Sequence, residues 1–210
     1  MEENRLEMNI EALLLVSRTP LSLQAISKAV GVEQKTVKEA IERLCEFYKT
    51  RGINLEEVAG GWQLRTNPKC AETIQKFLQA KPIKLTKQAL ETLSMIAYMQ
   101  PVTKAKIEEI RGVDTSHIIK FLIEHGFIRI IGQKEVPGRP YLYGTTKFFL
   151  EFFGLKSLSD LPRLQEEIEL KGEDMENLSE PEETTQEEEE NKDSKFFEEI
   201  SSIIEEMKKT

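Results

Sequence analysis

The chain repeats itself. Thr19-Pro20-Leu21-Ser22 is matched by Gln100-Pro101-Val102-Thr103, Ile26 by Ile107, and Gly31-Val32 by Gly112-Val113, every pair 81 positions apart. Four identities in fourteen residues would be a weak signal by themselves. They fall on residues that punctuate structure: a helix-ending proline, a periodic aliphatic and a helix-closing glycine, with a hydroxyl cap matched in kind. A repeat of that length implies two like domains and no single large core.

The same order of elements is readable in each copy. In the first, a helix is predicted over Arg5–Ser17, with Ile10, Leu13, Leu14 and Ser17 on one face and Leu15 and Val16 adding apolar surface elsewhere. A helix apolar on more than one face buries more than one face, and in a small domain the second face meets another chain. Thr19-Pro20 ends it, Ser22 caps a short helix to Val30, and Gly31 closes that helix. A third helix, Gln34–Thr50, carries Val37, Ile41, Leu44, Cys45 and Tyr48. Strands Ile53–Val58 and Trp62–Thr66 follow, joined by Ala59-Gly60-Gly61, where glycine permits the positive φ of a hairpin.

In the second copy Thr86 caps a helix with Leu90, Leu93, Ser94 and Ala97 on one face, and Pro101 ends it. Thr103 opens a short helix closed by Gly112. Asp114 or Ser116 caps the next, with Ile118, Leu122 and His125 in line. Strands Phe127–Ile131 and Tyr141–Thr145 flank a wing from Gly132 to Pro140. The expected fold is mainly α with small β wings (α+β): two tandem winged helix-turn-helix domains, residues 1–80 and 81–165, bridged by a helix near Pro68–Gln79.

Beyond Leu161-Pro162 the composition changes. Residues 161–210 hold 18 acidic and 6 basic residues, against 19 and 23 in residues 1–160. Residues 166–194 are predicted to be a disordered acidic linker, since so few aliphatics cannot offset the entropy of ordering. Residues 195–210 regain a stripe of Phe196, Phe197, Ile200, Ile203, Ile204 and Met207, the pattern of an amphipathic helix. Such a helix either docks on its own protein or recruits a partner groove.

No catalytic constellation emerges. His117 and His125 lie eight residues apart on one predicted helix, roughly 12 Å along its axis, too far to share a metal without other ligands. Cys45 reads as core, and Cys70, near a helix start, has no histidine close in sequence. Two cysteines make neither a disulfide framework nor a zinc site, and a cytosolic chain is expected. No glycine loop cradles a phosphate. No enzyme activity, cofactor or metal is expected, and no run of residues is long and apolar enough to span a membrane.

A DNA reader would place the third helix of each domain in the major groove. Residues Glu33–Lys49 carry Lys35, Lys38, Arg43 and Lys49 against Glu33, Glu39, Glu42 and Glu46. Residues Asp114–His125 carry Lys120 against Asp114 and Glu124. Helices of neutral or negative charge are poor guests for phosphate. At most a weak nonspecific DNA contact is expected, from bases such as Lys84, Lys104, Arg129 and Lys134. The second wing, Val136-Pro137-Gly138-Arg139-Pro140 running into Tyr141 and Tyr143, is stiffened by prolines and carries the residue types that anchor interfaces. Tyrosines covering their own core are the plain alternative.

These motifs carry a family resemblance. Ile10-Glu11-Ala12-Leu13-Leu14, Val58-Ala59-Gly60-Gly61-Trp62-Gln63-Leu64-Arg65-Thr66, Ile107-Glu108-Glu109-Ile110-Arg111-Gly112-Val113, Val136-Pro137-Gly138-Arg139-Pro140 and Phe153-Gly154-Leu155-Lys156-Ser157-Leu158-Ser159-Asp160-Leu161-Pro162 resemble the segregation and condensation protein B family, in order and at matching spacing over residues 5–165. Met99 and Trp62 stand where many members have Arg and Tyr.

The resemblance implies a non-enzymatic subunit of the bacterial SMC–kleisin condensin, nucleoid-associated, which supports chromosome condensation and partition before cell division. It implies a homodimer built through the N-terminal domain, with Leu13, Leu15 and Val16 the interface candidates. It also implies a grip on the central segment of the kleisin, segregation and condensation protein A, and through it a link to the SMC ATPase. The wing Pro137–Tyr141 matches the family's motif, and Arg139, Pro140, Tyr141 and Tyr143 are the candidate kleisin contacts. The alternative is a winged-helix transcription regulator.

Overall fold

The computed structural model describes residues 2–79 and 83–162. The expected residues 166–194 and 195–210 lie outside the described part. The molecule is mixed α and β, helices with two small antiparallel sheets, and its contacts divide it into two units.

The first unit takes residues up to Ile83 together with Leu150–Asp160. Its elements are α1 (Glu2–Val16), α2 (Leu23–Val30), α3 (Gln34–Tyr48), β1 (Ile53–Val58), β2 (Gly61–Thr66) and, after a 3-10 turn at Pro68–Cys70, α4 (Ala71–Leu78). The Ser22 hydroxyl accepts from Ala25 N–H and starts α2. Gly31, at φ 72°, stops it in the left-handed region that glycine enters without steric cost. Ile10 and Leu14 of α1, Ile26 of α2, and Val37, Ile41 and Leu44 of α3 form the core under the hairpin, with Leu55 from β1. The tight turn is only Ala59-Gly60, both at positive φ, and Gly61 is already paired with Val58. Trp62 makes a two-way backbone bridge with Leu21.

Residues 150–160 belong to this unit by direct bonds. Ala59 N–H donates to Leu155 C=O (2.9 Å), an Arg65 guanidinium N–H to Glu151 C=O (2.8 Å), and Lys156 pairs with Glu57 (3.0 Å). The sequence pattern groups these residues with 81–165, whereas their contacts tie them to β1 and β2.

The second unit takes Lys84–Phe149 and residues 161–162. It contains α5 (Lys87–Met99), β3 (Val102–Thr103), α6 (Lys104–Arg111), α7 (Ser116–Glu124), β4 (Ile128–Gln133), β5 (Tyr141–Thr145) and the start of α8 (Lys147–Phe153). Thr86 and Thr103 cap α5 and α6. The sheet order is β3-β5-β4, so β4 is an edge. Val102 pairs with Tyr143, 81 positions on from the Leu21–Trp62 bridge, so the repeat extends to a specific backbone pairing.

Three expectations are corrected in the second unit. The helix stripe Leu90, Leu93, Ser94 and Ala97 is too narrow: α5 buries Ala89, Glu91, Thr92, Leu93, Met95, Ile96 and Ala97, because neighbours surround it. Neither Asp114 nor Ser116 is the cap residue of α7. Thr115 holds that position, buried, and its N–H donates to Glu108 (2.8 Å), while Asp114 accepts from Ser116 N–H one residue further in. His125 is not in line with Ile118 and Leu122; it ends α7, exposed, and Ile119 takes the third buried place.

The core of this unit holds an ion pair. Glu91 and Arg111 side chains are 7% and 5% exposed, with Oε2 and Nη2 3.2 Å apart. Arg111 also donates through Nη1 to Thr92 Oγ1 (2.9 Å), while its Nε–H has no partner among the described residues. In the first unit the residues 81 positions earlier are Ile10 and Val30, both packed on the apolar core.

Candidate functional site

Two surfaces stand out, one on each unit. On the first, α1 is fixed to α3 by Arg43 with Glu7 (2.6 Å) and by Tyr48 Oη–H donating to Glu11 (2.7 Å). Burial, reinforced by that bond to a carboxylate, pushes the Tyr48 phenol up to about 12. With Ile10 and Leu14 turned inward, the last turn presents Leu15 and Val16 to solvent at 77% and 76% exposure, and Leu13 is half-buried between. Two adjacent aliphatics left open on a well-anchored helix are the kind of surface that association covers.

On the second unit the surface is β4 and the wing. Every residue of β4 after Ile128 is exposed, including Ile130 and Ile131, and its outer backbone edge pairs with no other strand among the described residues. The wing is braced by its own backbone: Lys134 N–H donates to Pro140 C=O, Val136 N–H to Lys134 C=O, and Arg139 N–H to Val136 C=O. Gly138 and Arg139 both have positive φ, 83° and 40°, so these bonds hold Arg139 in a conformation a non-glycine residue seldom enters. Arg139 is exposed, Pro140 half-buried and Tyr141 51% exposed.

Tyr143 departs from its expected role. It shares a strand face with Tyr141, yet it is only 8% exposed: β3 lies beside it, pairing at Val102, and residues of α7 line the same groove. It floors a shallow groove of about 450 Å³ whose walls include Lys104, Ser116, Ile119, Lys120 and Ile123. Here Asp114 is held below the usual carboxylate range, chiefly by the Ser116 hydroxyl and N–H, and it also meets Lys104 (3.4 Å).

Charge differs between these places. Lys104 meets Glu108 and Asp114, Lys106 meets Glu109, and Lys120 meets Glu124. Arg129, Lys134, Arg139 and Lys147, on β4, the wing and the start of α8, meet no carboxylate among the described residues. The sequence named three of these cations but did not assemble them with Ile130, Ile131 and Tyr141. The hairpin register, with its bulge between Ile130 and Gly132, places Ile130 on the face of Tyr141 and Tyr143 and Ile131 against Gly144 on the other face.

The remaining candidates do not converge. His117 is exposed, and His125 turns its Nδ1 to Phe121 C=O (2.9 Å) and stacks on the Phe121 ring. Cys45 is half-buried, its thiol raised by burial, and Cys70 sits at the start of α4. Among the described residues no three His, Cys, Asp or Glu side chains could hold a metal, and no helix is long and apolar enough to cross a membrane.

Residues 8–164 match the family model described as segregation and condensation complex subunit ScpB. Segregation and condensation protein B of Myxococcus xanthus is 46% identical over 175 residues, which cover 82% of this chain and 53% of that protein. The chain thus spans about half the length of that relative. The protein of the same name from Syntrophotalea carbinolica is 45% identical, covering 82% of this chain and 89% of that one. A crystal structure of ScpB from Mycobacterium tuberculosis aligns at 32% identity over 74% of this chain and 98% of that one, with a TM-score of 0.36. The chain belongs to the segregation and condensation protein B family, whose members are named for their part in chromosome segregation and condensation.

Proposed function

We propose that this chain is a non-enzymatic subunit of an SMC–kleisin condensin, acting at the nucleoid. In this reading it is two tandem winged-helix domains, residues 1–80 and 81–165. The first dimerises through Leu13, Leu15 and Val16; the second grips the central segment of the kleisin, segregation and condensation protein A, and so joins the SMC ATPase.

The observation that carries the reading is the self-braced wing at the end of an open edge strand. An unpaired strand edge offers main-chain hydrogen bonds to an extended peptide, and side chains beside it supply selectivity. Arg139 in the wing and Tyr141 at the start of the neighbouring β5 are the anchors, Pro140 stiffens the approach, and Tyr143 supports β5 from inside the unit. Apolar residues interleaved with free cations suit a polypeptide carrying both aliphatic and acidic side chains. The near-neutral third helices, α3 and α7, disfavour sequence-specific DNA binding.

Titration calorimetry of the full chain with the kleisin's central segment tests the proposal. Arg139→Ala and Tyr141→Ala are each expected to weaken binding about tenfold or more, the loss of a typical anchor. Wild-type affinity in both variants overturns the wing assignment. Tight binding to one operator duplex at physiological salt, without kleisin binding, would move the protein to the transcription regulators.

A further inference from the structure

The kleisin surface proposed above lies on the part of the molecule with the greatest charge contrast to the rest of the chain. Residues 84–149 hold ten basic and six acidic residues; residues 163–210 hold six basic and eighteen acidic. Of the second unit's cations outside β4, the wing and α8, Lys104, Lys106, Arg111 and Lys120 each meet a carboxylate, and Lys84 and Lys87, at and before the start of α5, meet none among the described residues. Arg129, Lys134 and Arg139, in the stretch that carries the exposed Ile130, Ile131 and Tyr141, and Lys147 just after it meet no carboxylate among the described residues.

The sequence of residues 195–208 is the complement of that surface. It carries Phe196, Phe197, Ile200, Ile203, Ile204 and Met207 at helical spacing, with Glu198, Glu199, Glu205 and Glu206 between them. It is attached to the same unit, since Tyr98 Oη–H donates to the Pro162 carbonyl (2.7 Å). Residues 163–194 separate the two. Even a random coil of that length spans roughly 30 Å. A unit of this size has a radius of gyration of about 11 Å, so the whole of its surface is within reach.

We infer that residues 195–208 dock in cis on β4 and the wing, competing with the kleisin for the second unit. The inference rests on the kleisin reading for the competitor, and on the free cations and exposed aliphatics for the docking itself. Tethering gives the segment an effective concentration on the order of 1 mM. A segment of roughly 0.1 mM intrinsic affinity would then cover the surface about nine-tenths of the time, weakening apparent kleisin affinity about tenfold. Kleisin binding would release the tail, and anything that holds the tail elsewhere would favour kleisin binding.

Zero-length carbodiimide cross-linking of the full chain, read by peptide mass spectrometry, tests the docking without the kleisin. Lys134 or Lys147 is expected to join Glu198, Glu199, Glu205 or Glu206. The Lys156–Glu57 pair, 3.0 Å apart, is the internal control for reactivity. Mixing isotopically light and heavy chains separates cis links from links between copies. Control links without wing–tail links overturn the docking, and wing–tail links found only between light and heavy chains overturn its cis character. Ile200→Asp with Ile203→Asp is expected to abolish the links and tighten kleisin binding about tenfold. Unchanged kleisin affinity in that variant overturns the competition. If the kleisin binds neither form, the functional proposal fails, while the cross-links still decide the docking.

Discussion

Replacing either member of the Glu91–Arg111 pair should damage the protein far more than replacing both. Each side chain is more than nine-tenths buried. Glu91→Ile leaves a guanidinium in the core that already has one N–H unpartnered among the described residues, and Arg111→Val leaves a lone carboxylate. Removing one partner of a buried ion pair typically costs about 3–5 kcal/mol, a large share of the roughly 5–15 kcal/mol that holds a domain folded. With a urea dependence of about 2 kcal/mol per molar, a loss of 3 kcal/mol moves the unfolding midpoint by about 1.5 M.

The double variant should recover most of this. Ile and Val are the residues found 81 positions earlier, at Ile10 and Val30, on the core of the first unit. Thr92 would stay satisfied, because its hydroxyl also donates to Gln88 C=O (2.9 Å). Valine is shorter than arginine, so residual space limits the gain. A midpoint within about 0.5 M of wild type is expected, that is, about 1 kcal/mol at the same slope. Urea titration followed by circular dichroism, read as a double-mutant cycle, measures the coupling. Single losses below about 1 kcal/mol, or a double loss equal to their sum, would refute the reasoning.

Leu15→Glu should shift the full chain from dimer to monomer in light scattering, with its circular dichroism unchanged because the side chain is exposed; an unchanged mass would remove α1 from the interface. Tyr48 ionises only near 12 when folded but near 10 when unfolded, so its contribution is complete below about 10 and lost as pH rises toward 12. Tyr48→Phe should therefore flatten stability against pH in that window, and an unaltered slope would contradict the burial account. At Gly61 an added Cβ would lie 2.9 Å from the backbone carbonyl carbons of Pro20 and Leu21. Gly61→Ala is expected to lower stability by about 1–3 kcal/mol in urea titration, a typical cost of overpacking; a neutral result would mean that the Leu21–Trp62 bridge yields easily.

Local chemistry made much of the fold legible. Ser22, Thr86 and Thr103 could be named as caps because a hydroxyl before a periodic apolar run has a specific backbone partner. Burial around α5 could not be read, because periodicity reports one buried face and this helix has several. Tyr141 and Tyr143 alternate correctly for one strand face, but the neighbouring β3, two residues long and below the reach of any pattern, and the α7 residues of the same groove separate the open ring from the covered one. The Glu91–Arg111 pair did leave a trace: opposite charges arise together where the other copy is apolar at both positions.

Two like modules in one chain run the hazard of trading parts while they fold, since a helix from one could pack into the other. The core ion pair sorts them. Setting α5 in the place of α1 would strand the Glu91 carboxylate in a greasy pocket, and setting α1 in the place of α5 would deprive Arg111 of its counter-charge. Either mistake is penalised by several kcal/mol, so the two halves can keep a common blueprint without becoming interchangeable.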